Sequence, residues 1–147
     1  DYKVTGVQTC ALPIWPADIG IHSNGSTPSI TQSLIAAYET GWSATDNPTI
    51  QNSVFLDNIV GMDGPGTWTV SYTDSDNGSQ NWPAVIAGVG NLSVDPLFTA
   101  WDNDGNALAD DYSLQGSSPL IDAGDPAVKD ADGSPSDIGP MGGPDGF

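Results

Sequence analysis

The sequence predicts an all-β fold, a parallel β-helix (solenoid) of about three coils followed by an irregular C-terminal cap. The main observation is an internal repeat, because residues 28–35 (PSITQSLI) and 48–55 (PTIQNSVF) share Pro, Ile, Ser and aliphatic positions at a spacing of 20. A looser third copy follows at residues 69–72 (TVSY). So short a period of alternating, β-branched residues fits one coil of a parallel β-helix better than a pair of helices. The 18 glycines and 12 prolines also favour many turns.

The repeat predicts which side chains stack on one another inside the solenoid. The stacked apolar positions are Ile30, Ile50 and Val70 in one column and Leu34 and Val54 in another. Gln32 and Asn52 lie an even number of residues from these positions, so their side chains are expected to point inward as well. We therefore expect their amides to form a ladder at a bend, where stacked amides satisfy one another. Trp68 shares the alternation of Val70 and is expected to pack inside as well.

A β-sandwich built from hairpins is the alternative all-β fold. Hairpins of that kind are joined by two-residue turns rich in Asn-Gly and Asp-Gly. The chain contains such dipeptides at Asn24-Gly25, Asp63-Gly64 and Asn77-Gly78. The repeat favours the β-helix, and these turns keep the sandwich as the alternative.

Three segments are expected along the chain. Residues 1–14 are expected to be a non-native artefact, because residues 4–14 (VTGVQTCALPI) resemble a translated sequencing adapter, and the segment before about residue 18 is expected to pack poorly. Residues 15–100 contain the predicted coils. The Asp/Gly/Pro-rich residues 101–147 form the predicted cap, since a solenoid needs a cover over its last open coil. Cys10 lies within the artefact, so cysteine usage says nothing about the redox compartment.

The charge balance excludes two classes of partner. The chain has 19 acidic residues against two lysines and no arginine, and its formal net charge is −17. Such a surface repels the phosphates of nucleic acids and anionic membranes, so we expect no nucleic-acid partner and no membrane insertion. Every acidic residue except Glu39 is aspartate, which belongs in turns, caps and oxygen-rich cation sites rather than in helices.

Two aspartate clusters are candidate calcium sites. Asp130, Asp132 and Asp137 form the first, and Asp102 and Asp104 form the second. Oxygens on alternate residues before a glycine let a turn curl several hard ligands around one calcium ion. Neither cluster completes the EF-hand pattern, because no bidentate Glu follows. The alternative is a set of Asx turns, in which the carboxylates accept nearby backbone amides.

Trp82 and Trp101 are the candidate carbohydrate-binding residues. They lie beside Pro83 and Asp102 in loop-like sequence, where an exposed indole could stack on a sugar ring. The alternative is that both indoles anchor the long loop structurally.

A series of motifs along the chain resembles those of one protein family. They are residues 48–58 (PTIQNSVFLDN), 91–98 (NLSVDPLF), 112–114 (YSL), 117–124 (SSPLIDAG), 130–134 (DADGS) and 137–139 (DIG). In this order they resemble the coils and the C-terminal end of bacterial right-handed parallel β-helix repeat proteins, over nearly all of residues 18–143. The resemblance implies a right-handed solenoid and a secreted or cell-surface location. It implies no single activity, because this fold hosts polysaccharide lyases, glycosidases and adhesins.

No catalytic residue is predicted. Polysaccharide lyases on this fold need an Arg or Lys base, and the one lysine beyond residue 14, Lys129, lies in the predicted cap. His22 has no partner that the sequence identifies. We therefore expect a non-catalytic module of an exported or cell-surface protein that contacts a polysaccharide or cell-surface glycan. The alternative is a fragment of a polysaccharide-degrading enzyme, lyase or glycosidase, whose active groove is expected on missing N-terminal coils.

Overall fold

The computed structural model describes an all-β chain. The described residues are 3–5, 19–25, 27–77, 81–82, 86–104, 106 and 109–144. Within them there is no helix, so none is long and apolar enough to cross a membrane. The expectation of an all-β fold is confirmed for this part of the chain.

The described strands are short, with bends and turns between them. In chain order they are β1 (Lys3–Thr5), β2 (Ile19–Ser23), β3 (Ser29–Thr31), β4 (Leu34–Ala36), β5 (Thr40–Ala44), β6 (Thr49–Gln51), β7 (Val54–Leu56), β8 (Val60–Asp63), β9 (Trp68–Ser71), β10 (Asp74–Asp76), β11 (Ile86–Ala87), β12 (Phe98–Ala100) and β13 (Asp111–Leu114). Many strand positions hold Ile, Val, Thr or Trp, whose branched or aromatic side chains suit a pleated surface.

Strands β2 to β10 follow a fixed circuit of three parallel sheets. The first sheet has the order β2-β5-β8, the second β1-β3-β6-β9-β11, and the third β4-β7-β10. The strand pairs in these sheets are parallel. The chain visits the first, second and third sheets in turn, three times, before it reaches β11. The predicted parallel stacking of strands is therefore confirmed.

The alternative sandwich of hairpins is wrong for β2 to β10. Asn24-Gly25 follows β2 and leads to a strand of another sheet, and Asp63-Gly64 does the same at the end of β8. Gly78 lies outside the described residues. The repeat overrides these local turn signals, because each strand finds a matching partner one period away. An antiparallel pair does join β12 to β13, within the C-terminal half.

The second sheet has the register that the repeat predicts. Ile30 pairs with Ile50 and Ile50 with Val70, each 20 residues further on, and all three side chains are buried. They belong to a core that receives side chains from all three sheets. Trp68 is fully buried there, as predicted, and meets Trp42 edge to face with ring centroids 5.6 Å apart.

Leu34 and Val54 pair as predicted, but they face away from that core. Before each of them the chain bends through the left-handed region, with φ of 48° at Gln32 and 49° at Asn52. The bend interrupts the alternation of side chains between the two faces of a strand. Counting every second residue across the bend therefore assigns Leu34 and Val54 to the wrong face of the sheet. The prediction that this column lies inside was therefore wrong, and the next residue along each strand packs into the core instead.

The predicted amide ladder of Gln32 and Asn52 is also wrong, because both amides bond to the C-terminal half of the chain. Gln32 Nε2 donates to the carbonyl oxygen of Gly142 at 2.6 Å, and Asn52 Oδ1 accepts the backbone amide of Asp125 at 2.8 Å. A ladder of amide side chains forms at the bend after the third sheet instead. Asn58 Nδ2 donates to Asn77 Oδ1 at 2.7 Å, and Asn81 Oδ1 accepts the backbone amide of Asn77 at 2.9 Å.

The C-terminal segment, residues 92–144, packs along the outer side of the third sheet. Its Phe98, Leu120 and Ile138 form a second apolar core with Leu34 and Val54. Hydrogen bonds join the segment to the third, second and first coils. The segment thus covers one side of the stacked coils, and its role as a cap over the last coil stays a prediction.

Strand β1 pairs in parallel with β3, with Val4 beside Ile30. The pairing involves three residues only, so the expectation that the segment before about residue 18 packs poorly stays a prediction. The edge of β3 presents unpaired backbone groups, which accept a strand whatever its side chains. Residues 1–2 and 6–18 lie outside the described residues, so the non-native origin of residues 1–14 stays a prediction.

Candidate functional site

A groove lies where the third sheet meets the C-terminal segment. It encloses about 310 Å³. The residues that line it come from the ends of β7 and β10, from the turn before β12, from β12 and the residue that follows it, and from the residue after β13. They are Leu56, Asp57, Asp76, Asp95, Pro96, Leu97, Phe98, Trp101 and Gln115. No contiguous stretch of sequence could form this groove, because it depends on the C-terminal segment packing against the coils.

Two local turns shape its rim. Asp57 follows β7 with φ of 53°, so the chain turns away from the third sheet at this point. Leu97 also has a positive φ, and its backbone amide donates to Asp95 Oδ1 at 2.9 Å. This Asx turn places Asp95 at the rim and brings Phe98 into the second apolar core.

Trp101 forms an aromatic wall of the groove and is half-buried. Its Nε1 donates to Asp57 Oδ2 at 2.6 Å, which ties the C-terminal segment to the second coil. Tyr112 packs against the indole with ring centroids 6.1 Å apart, and the Tyr112 ring meets Phe98 edge to face at 5.9 Å. The indole is therefore held in place while part of its surface stays open to the groove.

Three carboxylates face the groove beside Trp101. They are Asp57, Asp76 and Asp95. Burial raises the pKa of Asp76 above its usual value, and the negative charges of Asp95 and Asp57 raise it further. The groove can accept hydrogen bonds from hydroxyl or amino groups, and its negative potential disfavours anionic ligands.

Asp74 lies behind this groove in an apolar setting. It occupies the same column of the third sheet as Leu34 and Val54, and its side chain is fully buried. Its Oδ1 accepts the backbone amide of Val94 at 3.0 Å, whereas Oδ2 has no hydrogen-bond partner among the described residues. Burial raises the pKa of Asp74 to about 7, and the carboxylates of Asp76 and Asp95 contribute to the increase.

The two predicted carbohydrate-binding residues lie in different places. Trp101 lines the groove, but Trp82 packs against the core between the three sheets, and its Nε1 donates to Ser93 Oγ at 3.0 Å. Trp82 is half-buried by this packing, and carbohydrate binding at this residue stays a prediction. The neighbouring Pro83 lies outside the described residues.

The carboxylates of the first predicted calcium cluster act on one another electrostatically, but their oxygens bond to the backbone. Asp130 Oδ2 accepts the amide of Asp137 at 3.1 Å, and its other oxygen accepts the amide of Gly143. Asp132 Oδ1 accepts hydrogen bonds from the Ser134 hydroxyl at 2.5 Å and from the Ser134 amide at 2.9 Å, and these two bonds hold the pKa of Asp132 below its usual value. Burial raises the pKa of Asp137, and nearby carboxylates including Asp130 add to the effect.

The second predicted cluster consists of two successive Asx turns. Asp102 Oδ1 accepts the amide of Asp104 at 3.0 Å, and Asp104 Oδ1 accepts the amide of Asn106 at 2.7 Å. Among the described residues, no three acidic, His or Cys side chains are grouped so that they could hold a metal ion. The hydrogen bonds fit the Asx-turn alternative, and calcium binding at either cluster stays a prediction.

Sequence reasoning did not place the carboxylates of the groove together. Asp57, Asp76 and Asp95 follow one another at intervals of 19 residues, close to the period of the repeat. That spacing is a signal that could have found them, because residues one period apart come to the same side of stacked coils. Neither His22 nor Lys129 lines the groove, and both are exposed.

The comparisons with known proteins add no assignment. No protein family, curated protein or solved structure matches the chain.

Proposed function

We propose that the chain is a non-catalytic module of a right-handed parallel β-helix from an exported or cell-surface protein, and that its groove binds a neutral glycan. The observation that carries the proposal is Trp101, an anchored indole in an open groove beside three carboxylates. An aromatic face with hydrogen-bond acceptors at its rim suits a sugar ring, which has an apolar face and hydroxyl groups around its edge.

The β-helix part of the proposal is supported by the order of the sheets. The chain returns to each sheet after about 20 residues and adds each new strand in parallel beside the previous one. Parallel strands joined by such a crossover are nearly always right-handed in proteins. The family resemblance implies the same hand and the same exported location.

The choice of a neutral glycan rests on charge. The chain carries a formal charge of −17, and three carboxylates line the groove. Uronic acid polymers such as pectin and alginate would meet like charges here, which cost binding energy. Neutral hydroxyl groups can donate to the same carboxylates without this repulsion.

Replacing Trp101 with alanine is expected to weaken binding of neutral oligosaccharides, such as xylohexaose or cellohexaose, by about tenfold, the equivalent of ~1.4 kcal/mol. Isothermal titration calorimetry measures the change, and circular dichroism checks that the variant is folded. Trp82→Ala is the matched control, because this indole packs outside the groove, and its affinity should stay within about twofold of the parent's. Equal affinity for polygalacturonate, or no loss in Trp101→Ala, would contradict the proposal.

A glycoside-cleaving enzyme is the second candidate function. It is favoured by the raised pKa of Asp76 next to two other carboxylates in the groove. Glycoside hydrolysis uses a protonated carboxyl beside an ionised one. Chromatography of the same oligosaccharides after incubation distinguishes the two candidates. Cleavage that Asp76→Asn abolishes would replace the binding module with an enzyme.

A further inference from the structure

Asp74 joins the groove wall to the third sheet. Leu92 pairs with Asp74 in parallel, its backbone amide donates to Thr73 at 2.9 Å, and its carbonyl accepts the amide of Ser75 at 3.0 Å. Two residues later the amide of Val94 donates to the Asp74 carboxyl. The groove wall, residues 94–98, begins at this hydrogen bond and continues through the Asx turn at Asp95.

The position of Asp74 suits a neutral carboxyl and disfavours a charged one. In the two previous coils the same column holds Leu34 and Val54, which pack in the second apolar core. Asp74 is fully buried, and one of its oxygens lacks a partner among the described residues. Burial raises the pKa of Asp74 by more than the hydrogen bonds from the backbone amides of Val94 and Ser75 lower it, because a buried charge costs far more free energy than a buried neutral group.

The charged groups that act on Asp74 are carboxylates. From its own strand Asp76 faces the same side of the sheet, and from the groove wall Asp95 approaches it. From the neighbouring strand β7, Val54 lies beside Asp74, and the following Asp57 acts on Asp76. Ionisation of Asp74 therefore adds repulsion to the cost of burial.

We propose that Asp74 is a proton-operated latch, which holds the groove wall against the third sheet when it is protonated and releases the wall when it ionises. The latch regulates the groove to which glycan binding is assigned above, and in that respect it rests on the proposed function. Opening of the wall can be measured in the chain without any sugar. An experiment can therefore contradict the latch without contradicting glycan binding, and the reverse.

The direction of the pH dependence follows from linkage. Because the pKa of Asp74 is higher in the closed state than in an opened, solvated state, closure is strongest at low pH and weakens as pH rises through about 7. A rise from 3.8 to about 7 makes opening about 100-fold more favourable at pH 8 than at pH 5. Above pH 8 the opening equilibrium should level off.

Amide hydrogen exchange of the full chain, measured by NMR from pH 5 to pH 8, tests the latch. With the intrinsic exchange rates divided out, protection of the Val94 and Ser75 amides should fall about 100-fold over this range. The Thr49 amide, which donates to Pro28 in the second sheet, serves as the internal reference and should change little. In Asp74→Asn the side chain keeps an acceptor for Val94 but cannot ionise, so the fall should be less than about threefold.

Two further measurements keep the result unambiguous. Asp104→Asn removes an equal charge from an exposed turn. In this variant the protection of the Val94 and Ser75 amides should fall with pH as it does in the parent. The carboxyl ¹³C shift of Asp74 in the unmodified chain should titrate with a midpoint near 7, which needs no variant to fold. The latch is overturned by a midpoint near 4, or by parallel exchange profiles in the parent and Asp74→Asn. If the chain shows no sugar binding but the protection of the Val94 and Ser75 amides still falls with pH, the proposed function is overturned and the latch is supported.

Discussion

Replacing Phe55 with alanine is expected to lower the free energy of unfolding by about 3–5 kcal/mol. Phe55 is fully buried in β7 and packs in the core shared by the three sheets. The second coil contacts a coil on each side, so a cavity there removes packing from both interfaces. A loss of this size is a large fraction of the ~5–15 kcal/mol that stabilises a typical domain.

Urea denaturation followed by tryptophan fluorescence measures this loss. Thr49→Ala is the matched control, because Thr49 lies on the same coil with an exposed side chain, and it should cost less than about 1 kcal/mol. Similar losses in the two variants would mean that Phe55 does not lie in a packed core.

Gly66→Ala is expected to destabilise the chain by about 3 kcal/mol or more. Gly66 lies in the turn between β8 and β9, and a Cβ added there would overlap the backbone carbonyl of Asp46 in the preceding coil. The two turns are stacked so closely that only a hydrogen fits between them. Because backbone rather than a flexible side chain blocks the space, the coils would have to separate.

Gly116→Ala is the control for this substitution. Nothing lies within 4 Å of a Cβ built at Gly116, so the change should leave the melting temperature within about 2 °C of the parent's. Differential scanning calorimetry compares the two variants. If Gly66→Ala melts like Gly116→Ala, then the turns of successive coils are not in contact.

The second sheet was predictable because its inward positions repeat without interruption. Ile30, Ile50 and Val70 recur at one spacing, and each lies in the middle of its strand. Leu34 and Val54 recur equally well, yet their side was not predictable by alternation. A left-handed residue lies two positions before each of them, and at Gln32 there is no glycine or asparagine to indicate a positive φ.

The groove was less predictable, because it depends on contacts between distant parts of the chain. Trp101 could be identified as an exposed aromatic in a loop, but the same reasoning selected Trp82, which packs on the core. Nothing in the sequence marks Asp74 as a buried aspartate. Its burial results from the segment that begins at Leu92 and folds over it, so the unusual ionisation follows from tertiary packing alone.

Nuclear Overhauser contacts between backbone protons test most directly whether the strands stack in parallel at a spacing of about 20 residues. In the isotope-labelled full chain, Ile50 should show contacts to both Ile30 and Val70, since neighbouring strands lie about 4.8 Å apart. A sandwich of hairpins would instead give close Hα–Hα contacts between strands that are adjacent in sequence. Contacts of that second kind among β2 to β10, without those to Ile30 and Val70, would contradict the stacked-coil fold and the groove built upon it.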